Sequence, residues 1–297
     1  TQNDTLNGAG GADIMEGGSG NDIYFVDNAG DQVIELGGAG AGYDIVNTTL
    51  NVFLLSVGDN IERVNFQGTG NFVTRGNEGD NRFTGAAGND RFILDAGGAD
   101  IFSGGQGRDA FDARSSTNGI TIRLDDQSLH GDDAAGDFFA SIESFFGSLT
   151  AGDYMVTGAA RARFSGFGGD DTLIGGNSVD FLQGGADNDT LDGGAARDTL
   201  QGGTGNDMMT GGADRDQFLF VKSAFGEDTI TDYEDGLDYL KIFSAVADDI
   251  SDFIITGNGT DTVTLTLDDG TGNNVLTLES GDGSIIDITA ADFQFYG

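Results

Sequence analysis

The sequence has no cysteine, no proline and no tryptophan, and it has a single histidine. Without cysteine there is no disulfide framework, no thiol nucleophile and no cysteine-ligated zinc. Basic residues are also few, with 13 Lys and Arg against 50 Asp and Glu. The resulting formal charge of -37 repels phosphate, which excludes nucleic acid as a partner. No apolar run of about 18 residues occurs, so no membrane span is predicted.

What the chain has in abundance is turn chemistry. Glycine accounts for 52 of the 297 residues, and the acidic residues are 42 Asp and only 8 Glu. Glu is the better helix former, so this bias disfavours a helical bundle. An apolar fraction of 37% combined with high charge lies close to the composition of disordered chains. We therefore expect something other than a conventional apolar core to hold the chain together.

A nine-residue repeat dominates the second half of the chain. From Gly166 six units follow one another without insertion, each close to Gly-Gly-x-Gly-x-Asp-x-apolar-x. Position six is occupied by Asp171, Asp180, Asp189, Asp198, Asp207 and Asp216. Position eight is occupied by Leu173, Leu182, Leu191, Leu200, Met209 and Phe218. A single register over six units makes the repeat unmistakable.

Weaker copies of the same unit occur elsewhere. Near the N-terminus Asp4, Asp13 and Asp22 lie nine residues apart. A middle block has Asn81, Asp90, Asp100 and Asp109 at position six, with Phe83, Phe92, Phe102 and Phe111 at position eight. Before the long array, Asp153 fits the pattern, whereas Ala162 replaces the aspartate of the next unit. The chain therefore contains three arrays.

The repeat predicts a parallel β-roll. Glycines permit tight turns with positive φ, and the last three residues of each unit are enough for a minimal strand. Its position-eight side chain points to one face, so successive strands would stack these apolar residues into a thin internal ladder. Two units make one full turn of such a coil, which places Asp171 above Asp189 on one side and Asp180 above Asp198 on the other. The predicted fold class is all-β.

Stacked aspartates require a cation. Neighbouring strands lie about 4.8 Å apart, where two bare carboxylates repel by about 1 kcal/mol in water and by roughly 3 to 4 kcal/mol at an effective dielectric of 20. A hard ion with six to eight oxygen ligands reverses this cost, which favours calcium over the stricter octahedron of magnesium. Because the site exists only when two turns are stacked, ion binding is coupled to folding.

The array from Gly166 to Leu219 resembles the nonapeptide repeats of RTX proteins, a family of bacterial secreted toxins, proteases, lipases, epimerases, adhesins and surface-layer proteins that share calcium-binding parallel β-rolls. The three arrays cover a little under half of the chain. The resemblance implies several Ca²⁺ ions and a C-terminal β capping region.

The same resemblance implies the ligands. Side-chain ligands would be the position-six aspartates Asp4, Asp13, Asp22, Asp90, Asp100, Asp109, Asp153, Asp171, Asp180, Asp189, Asp198, Asp207 and Asp216. Carbonyl ligands would come from the turns of Gly8, Gly10, Gly17, Gly85, Gly104, Gly166, Gly168, Gly175, Gly184, Gly193, Gly202 and Gly211. Further candidate ligands are Asp44, Asn81, Asp187, Asp214 and Asp228. Asn81 and Ala162 depart from the repeat pattern.

The predicted organisation alternates rolls with irregular β rungs. Rolls are expected over 1–25, 76–112 and 148–219, and irregular rungs rich in Val, Ile and Phe over 26–75 and 113–147. Residues 220–297 have longer alternating strands and resemble the cap of secreted RTX metalloproteases and lipases, which covers an open sheet edge. In that family such a C-terminus carries the signal for the type I secretion apparatus.

Catalytic motifs are missing from this sequence. It contains neither G-x-S-x-G nor H-E-x-x-H, and His130, the only histidine, lies in a polar stretch typical of an exposed loop. We therefore predict no enzymatic activity in this chain and no catalytic residues.

Two functions remain open. The first is a secreted calcium-binding protein with a structural, adhesive or surface-layer role, self-assembling or meeting a cell-surface polysaccharide. The second is the C-terminal calcium-binding and secretion region of a larger protease, lipase or polysaccharide-acting enzyme. The chain begins at Thr1 without Met or an apolar leader, so we expect a processed N-terminus or the cut end of something longer. Both functions place the protein outside the cell or at its surface.

Overall fold

Short β-strands form nearly all of the regular structure. The computed structural model describes residues 2–38, 40–95, 97–124, 136–221, 224–243, 246–267 and 274–296, together with the backbone of 128–130. The chain divides into two units, one comprising Thr1–Ser116 and Gln127–Phe145 and the other Thr117–Asp126 and Phe146–Gly297. No α-helix occurs within the described ranges. In the same ranges, no helix has the length and apolarity needed to cross a bilayer.

The first unit contains two sets of parallel strands. Its strands are β1 (Thr5–Asn7), β2 (Ile14–Gly18), β3 (Ile23–Val26), β4 (Gln32–Glu35), β5 (Ile45–Thr48), β6 (Val52–Leu54), β7 (Arg63–Phe66), β8 (Val73–Arg75), β9 (Arg82–Thr84), β10 (Arg91–Ile93), β11 (Ile101–Ser103), β12 (Ala110–Asp112), β14 (Ser128–His130) and β15 (Phe138–Ala140). Odd-numbered strands form a seven-stranded sheet in the order β1-β3-β5-β7-β9-β11-β15. Opposite this sheet, β6, β8, β10 and β12 pair in that order, and β2 pairs with β4.

The core of the first unit is a ladder of side chains in register. In the seven-stranded sheet Tyr24, Val46, Val64, Phe83 and Phe102 are each aligned with the next and have no exposed surface. The rings of Phe83 and Phe102 stack with centroids 5.6 Å apart. From the facing strands Phe92 and Phe111 contribute to the same core, and the ring centroids of Phe102 and Phe111 are 5.4 Å apart. The predicted apolar ladder is confirmed.

The second unit also consists of parallel strands with a ladder of buried apolar side chains between them. Its strands are β13 (Thr121–Arg123), β17 (Tyr154–Val156), β18 (Arg163–Gly168), β19 (Thr172–Ile174), β20 (Phe181–Ala186), β21 (Thr190–Asp192), β22 (Thr199–Thr204), β23 (Met208–Thr210), β24 (Gln217–Phe220), β25 (Glu227–Ile230), β26 (Tyr239–Phe243), β27 (Phe253–Thr256), β28 (Thr262–Leu267), β29 (Val275–Glu279) and β30 (Phe293–Tyr296), while β16 (Ser144–Phe146) ends in this unit. Leu173 aligns with Leu191 and Leu182 with Leu200, so neighbours in a ladder are 18 residues apart. The all-β parallel roll with two repeats per turn is confirmed.

The C-terminal part changes the pairing direction. β25 pairs in parallel with β29, whereas β28 pairs antiparallel with both β29 and β27. On the other face β26 pairs with β30, the last strand. Single 3₁₀ turns at Ile250–Asp252 and Ala290–Asp292 precede β27 and β30, each opened by a capping box. β25 and β26 pair in parallel with β23 and β24, the strands of the last two nonapeptides.

Two consecutive methionines test how far the thin ladder stabilises the second unit. Met209 is fully buried in the ladder, whereas Met208 is 48% exposed on the outer face. Met209→Ala should lower the free energy of unfolding of the calcium-loaded protein by about 2 to 5 kcal/mol, because it leaves a cavity in a core one side chain wide. Met208→Ala should cost less than about 1 kcal/mol. Urea unfolding of both variants in calcium measures the difference, and equal losses would contradict an internal ladder.

Candidate calcium sites

Backbone-to-carboxylate hydrogen bonds join each turn of the second unit to the next. The backbone N–H of Asp171 donates to Oδ1 of Asp189, 2.9 Å away, and the N–H of Asp189 donates to Oδ1 of Asp207 over the same distance. Asp153 precedes these residues in the stack and Asp228 follows them, which defines the Asp189 column as Asp153, Asp171, Asp189, Asp207 and Asp228. On the other side the Asp198 column contains Asp180, Asp198, Asp216 and Asp238. Each of these aspartates lies two residues ahead of the buried apolar residue of a strand, as Asp171 does before Leu173.

The second oxygen of most of these carboxylates has no hydrogen-bond partner. Within the described part of the chain, a buried Oδ2 without a partner occurs in Asp171, Asp189, Asp198, Asp207, Asp216 and Asp228. No Lys or Arg forms an ion pair with either column in these ranges. A buried anionic oxygen without a counter-charge is costly, so the columns need a cation.

Glycine carbonyls face the same space as these oxygens. A Cβ added to Gly193 would lie 2.5 Å from the carbonyl oxygen of Gly211 and 2.9 Å from Oδ2 of Asp198. The space beside the first glycine of a repeat is thus bounded by a carboxylate of its own turn and a carbonyl of the next turn. Oxygen ligands from two stacked turns suit calcium, which accepts six to eight of them with flexible geometry. The residues present therefore fit the ion that the repeat implies.

Ten of the predicted glycines lie in this position. A Cβ at each of them would meet the aspartate of its own repeat, five residues later, and at most of them it would meet a further residue as well: Gly8, Gly17, Gly85, Gly104, Gly166, Gly175, Gly184, Gly193, Gly202 and Gly211. Gly10 and Gly168 are placed differently. A Cβ at Gly10 would meet nothing within 4 Å, and one at Gly168 would meet the carbonyl oxygen of Leu149. A carboxylate does not adjoin these two glycines.

Burial raises the pKa of the column carboxyls. Desolvation is the largest cause, and the neighbouring carboxylates add to it. The pKa rises to about 8 for Asp189 and Asp228 and to about 7 for Asp171. In the Asp198 column the pKa rises to about 8 for Asp216. The ionised columns therefore oppose folding near neutral pH unless a cation neutralises them.

The first unit has equivalent columns. Backbone N–H groups of Asp4, Asp22 and Asn81 donate to carboxylates of Asp22, Asp44 and Asp100, over 2.6 to 2.7 Å. On the opposite side the N–H of Asp90 donates to Asp109 over 2.7 Å, and the N–H of Asp13 donates to Asp31 over 3.1 Å. Among the predicted ligands, Asp13, Asp22, Asp44, Asp100 and Asp109 have a buried Oδ2 without a partner, whereas Asp4 is exposed.

Five acidic residues of these columns were not among the predicted ligands. They are Asp31, Glu62, Asp137, Glu143 and Asp238, each of which accepts the same type of hydrogen bond from the preceding turn. None lies in a glycine-rich nonapeptide. Each nevertheless stands two residues before an inward-facing apolar residue, as Glu62 does before Val64 and Asp238 before Leu240. An acid-x-apolar pattern, searched without the glycines, could have found them.

The remaining candidate ligands have different environments. Asp187 and Asp214 are exposed at position four of their repeats, with φ of 75° and 77°. Aspartate tolerates this left-handed conformation, so both residues have a turn-forming role whether or not they bind an ion. Asn81 is buried, and its side-chain oxygen accepts a hydrogen bond from the N–H of Asn77. His130 lies on β14, and its side chain is outside the described part.

Comparison with known proteins agrees with this geometry. A family model described as the RTX calcium-binding nonapeptide repeat matches four segments, residues 1–33, 75–111, 165–200 and 193–219. Such repeats bind Ca²⁺ at several sites. A search of curated protein sequences finds no significant match. Among solved structures, the extracellular lipase LipA from Serratia marcescens aligns over 92% of this chain with 17% identity and a TM-score of 0.31, and the aligned region is 44% of the lipase chain.

Asp189→Asn tests whether the carboxylates of the Asp189 column repel one another and whether they bind calcium. Asparagine keeps the oxygen that accepts from the Asp171 N–H and removes the charge. In calcium we expect fewer bound ions and a calcium midpoint raised by about tenfold or more, because a charged ligand is lost. After chelation we expect the variant to retain more β-structure than the wild type, because one buried charge is gone.

Native mass spectrometry counts the ions, a calcium titration followed by circular dichroism gives the midpoint, and circular dichroism in chelator compares the calcium-free chains. The matched control is Asp248→Asn, which removes the charge of an exposed aspartate outside the columns. A variant at Asp189 with the ion count and midpoint of the control would contradict the assignment.

Proposed function

We propose that this chain, four segments of which match the RTX calcium-binding nonapeptide repeat, is a secreted calcium-binding β-roll protein that folds on calcium outside the cell and has a structural, adhesive or surface-layer role. The observation that supports this proposal is the stack of buried aspartates with unpartnered oxygens in both units. A chain built around such columns is poorly stabilised where calcium is scarce. It becomes stable where calcium is abundant, because binding free energy adds directly to folding free energy.

The net charge acts in the same direction. At -37 the calcium-free chain repels itself and resists collapse in calcium-poor cytosol. An unfolded chain is what an export channel can accept. Millimolar calcium, the range in which extracellular calcium modules bind, would then drive folding after export. The aspartate columns would thus delay folding until the chain has left the cell.

Calcium titration of the intact chain tests the folding proposal. In excess EGTA at low ionic strength, far-UV circular dichroism should show little β-structure. Addition of calcium should restore the β signal in a steep transition, whereas equal magnesium should not, because magnesium requires a near-ideal octahedron and loses its water ligands reluctantly. Full β-structure in EGTA would contradict the proposal. Size-exclusion chromatography of the same samples tests the surface-layer role, and a monomer at millimolar calcium would argue against it.

The proposed route of export is the type I apparatus, with the signal in residues 220–297. Supporting this proposal is the change of architecture after the last nonapeptide, where β27, β28 and β29 form antiparallel pairs. In cells that express such an apparatus, we expect the full chain in the medium and a chain lacking 220–297 inside the cell. A chain lacking 1–75 is the control and should still be exported. Export without 220–297 would contradict the proposal.

A further inference from the structure

A bulge in the first unit directs a glutamate toward the aspartate column. β2 and β4 are in register up to Glu16, which pairs with Ile34, but Glu35 pairs with Gly18 and not with Gly17. Such a bulge re-aims side chains near it. Glu35 lies on the same face of β4 as Val33, which is aligned with the buried Met15. The carboxylate of Glu35 therefore points to the inner side of the strand.

This carboxylate meets two members of a column. One side-chain oxygen from each of Asp22, Glu35 and Asp44 lies within 4.8 Å of the other two. Asp22 and Asp44 are 22 residues apart instead of the 18 of a regular turn, and the longer connection between them contains Glu35. Glu35 and Asp44 lie outside the segments that match the repeat family. The sequence pattern alone could not have joined these three residues.

Each of the two aspartates in this cluster has one oxygen without a hydrogen-bond partner. Asp22 and Asp44 have no exposed surface, and in each the Oδ1 atom accepts a backbone N–H while the buried Oδ2 atom has no partner. Glu35 accepts a hydrogen bond from the phenol of Tyr24 and another from the N–H of Leu36 at 3.2 Å. Two buried anionic oxygens without partners, beside a third carboxylate, indicate a missing positive charge.

Gly17 leaves the space that a ligand would need. A Cβ at Gly17 would contact the hydroxyl of Tyr24 and would lie 2.5 Å from both Oδ2 of Asp22 and Oε1 of Glu35. In the regular repeat of Gly193, the equivalent space is bounded by one aspartate oxygen and by the carbonyl of Gly211. Here the carboxylate of Glu35 takes the place of that carbonyl. The Tyr24 hydrogen bond holds Glu35 in this orientation, as second ligand shells do.

We propose that Glu35 joins Asp22 and Asp44 of the column in a site that binds one calcium ion through three carboxylates and fills before the repeat sites. Hard oxygen ligands without His or Cys favour calcium. A site with three charged ligands binds more tightly than one that relies on carbonyls, because affinity rises with ligand charge and rigidity. The choice of calcium rests on the proposed function, whereas the site itself rests on the three carboxylates. Because this site would fill first, its ion would order the irregular segment between Asp22 and Asp44 before the other sites are occupied.

Glu35→Gln tests the site. Glutamine keeps the oxygen that accepts from Tyr24 and removes the charge. By native mass spectrometry at saturating calcium, we expect one ion fewer than in the wild type. The matched control is Glu16→Gln, an exposed glutamate on the neighbouring strand, which should keep the full count. Circular dichroism in calcium establishes that both variants fold. An unchanged ion count in Glu35→Gln would overturn the proposal.

Terbium luminescence provides a second test that does not depend on the folding of Glu35→Gln. Tb³⁺ occupies calcium sites and is excited through nearby tyrosine. With the first equivalent of Tb³⁺, tyrosine-excited emission should be strong in the wild type and several-fold weaker in Tyr24→Phe, which removes the phenol that contacts Glu35. Emission equal to wild type in Tyr24→Phe would overturn the proposal. If the wild type folds on calcium but Glu35→Gln keeps the ion count of Glu16→Gln and Tyr24→Phe keeps the wild-type emission, the proposed site is wrong while the proposed function stands.

Discussion

Repulsion between stacked carboxylates is the constraint on which this structure depends. A parallel roll with one aspartate per repeat necessarily brings like charges to the spacing of adjacent strands. Each carboxylate uses one oxygen to accept a backbone N–H from the neighbouring turn, which fixes the register between turns. The other oxygen is left buried, and that oxygen creates the demand for a cation. The same residue thus aligns the turns and makes them dependent on calcium.

The apolar ladder alone is too thin to remove this dependence. Each rung contributes a single buried side chain per strand, such as Leu191 in one sheet or Leu200 in the other. The glycines that make the tight turns add no apolar surface and increase the entropy lost on folding. Ion binding therefore has to supply part of the stability, in the way that a structural metal does in a small domain.

Departures from the repeat show how the column is maintained where the glycines are lost. Glu62 and Glu143 accept the same type of backbone hydrogen bond as the aspartates do. Asp238 continues the Asp198 column beyond the last nonapeptide. What the irregular rungs retain is thus an acidic residue two positions before an inward apolar residue. The glycine-rich turn is one way of presenting that acid, and the column is what the chain preserves.

The sequence by itself determined the fold class, the two-repeat turn and the ladder residues, because a nine-residue period forces Leu173 above Leu191 and Asp171 above Asp189. It also determined most of the candidate ligands, since position six is a local feature of each unit. Only the tertiary structure decided which residues outside the repeats join the columns. Glu35 meets Asp22 and Asp44 because a bulge changes its register, and no spacing rule contains that information. Local periodicity predicts contacts between like units, whereas contacts between unlike segments depend on how the whole turn is closed.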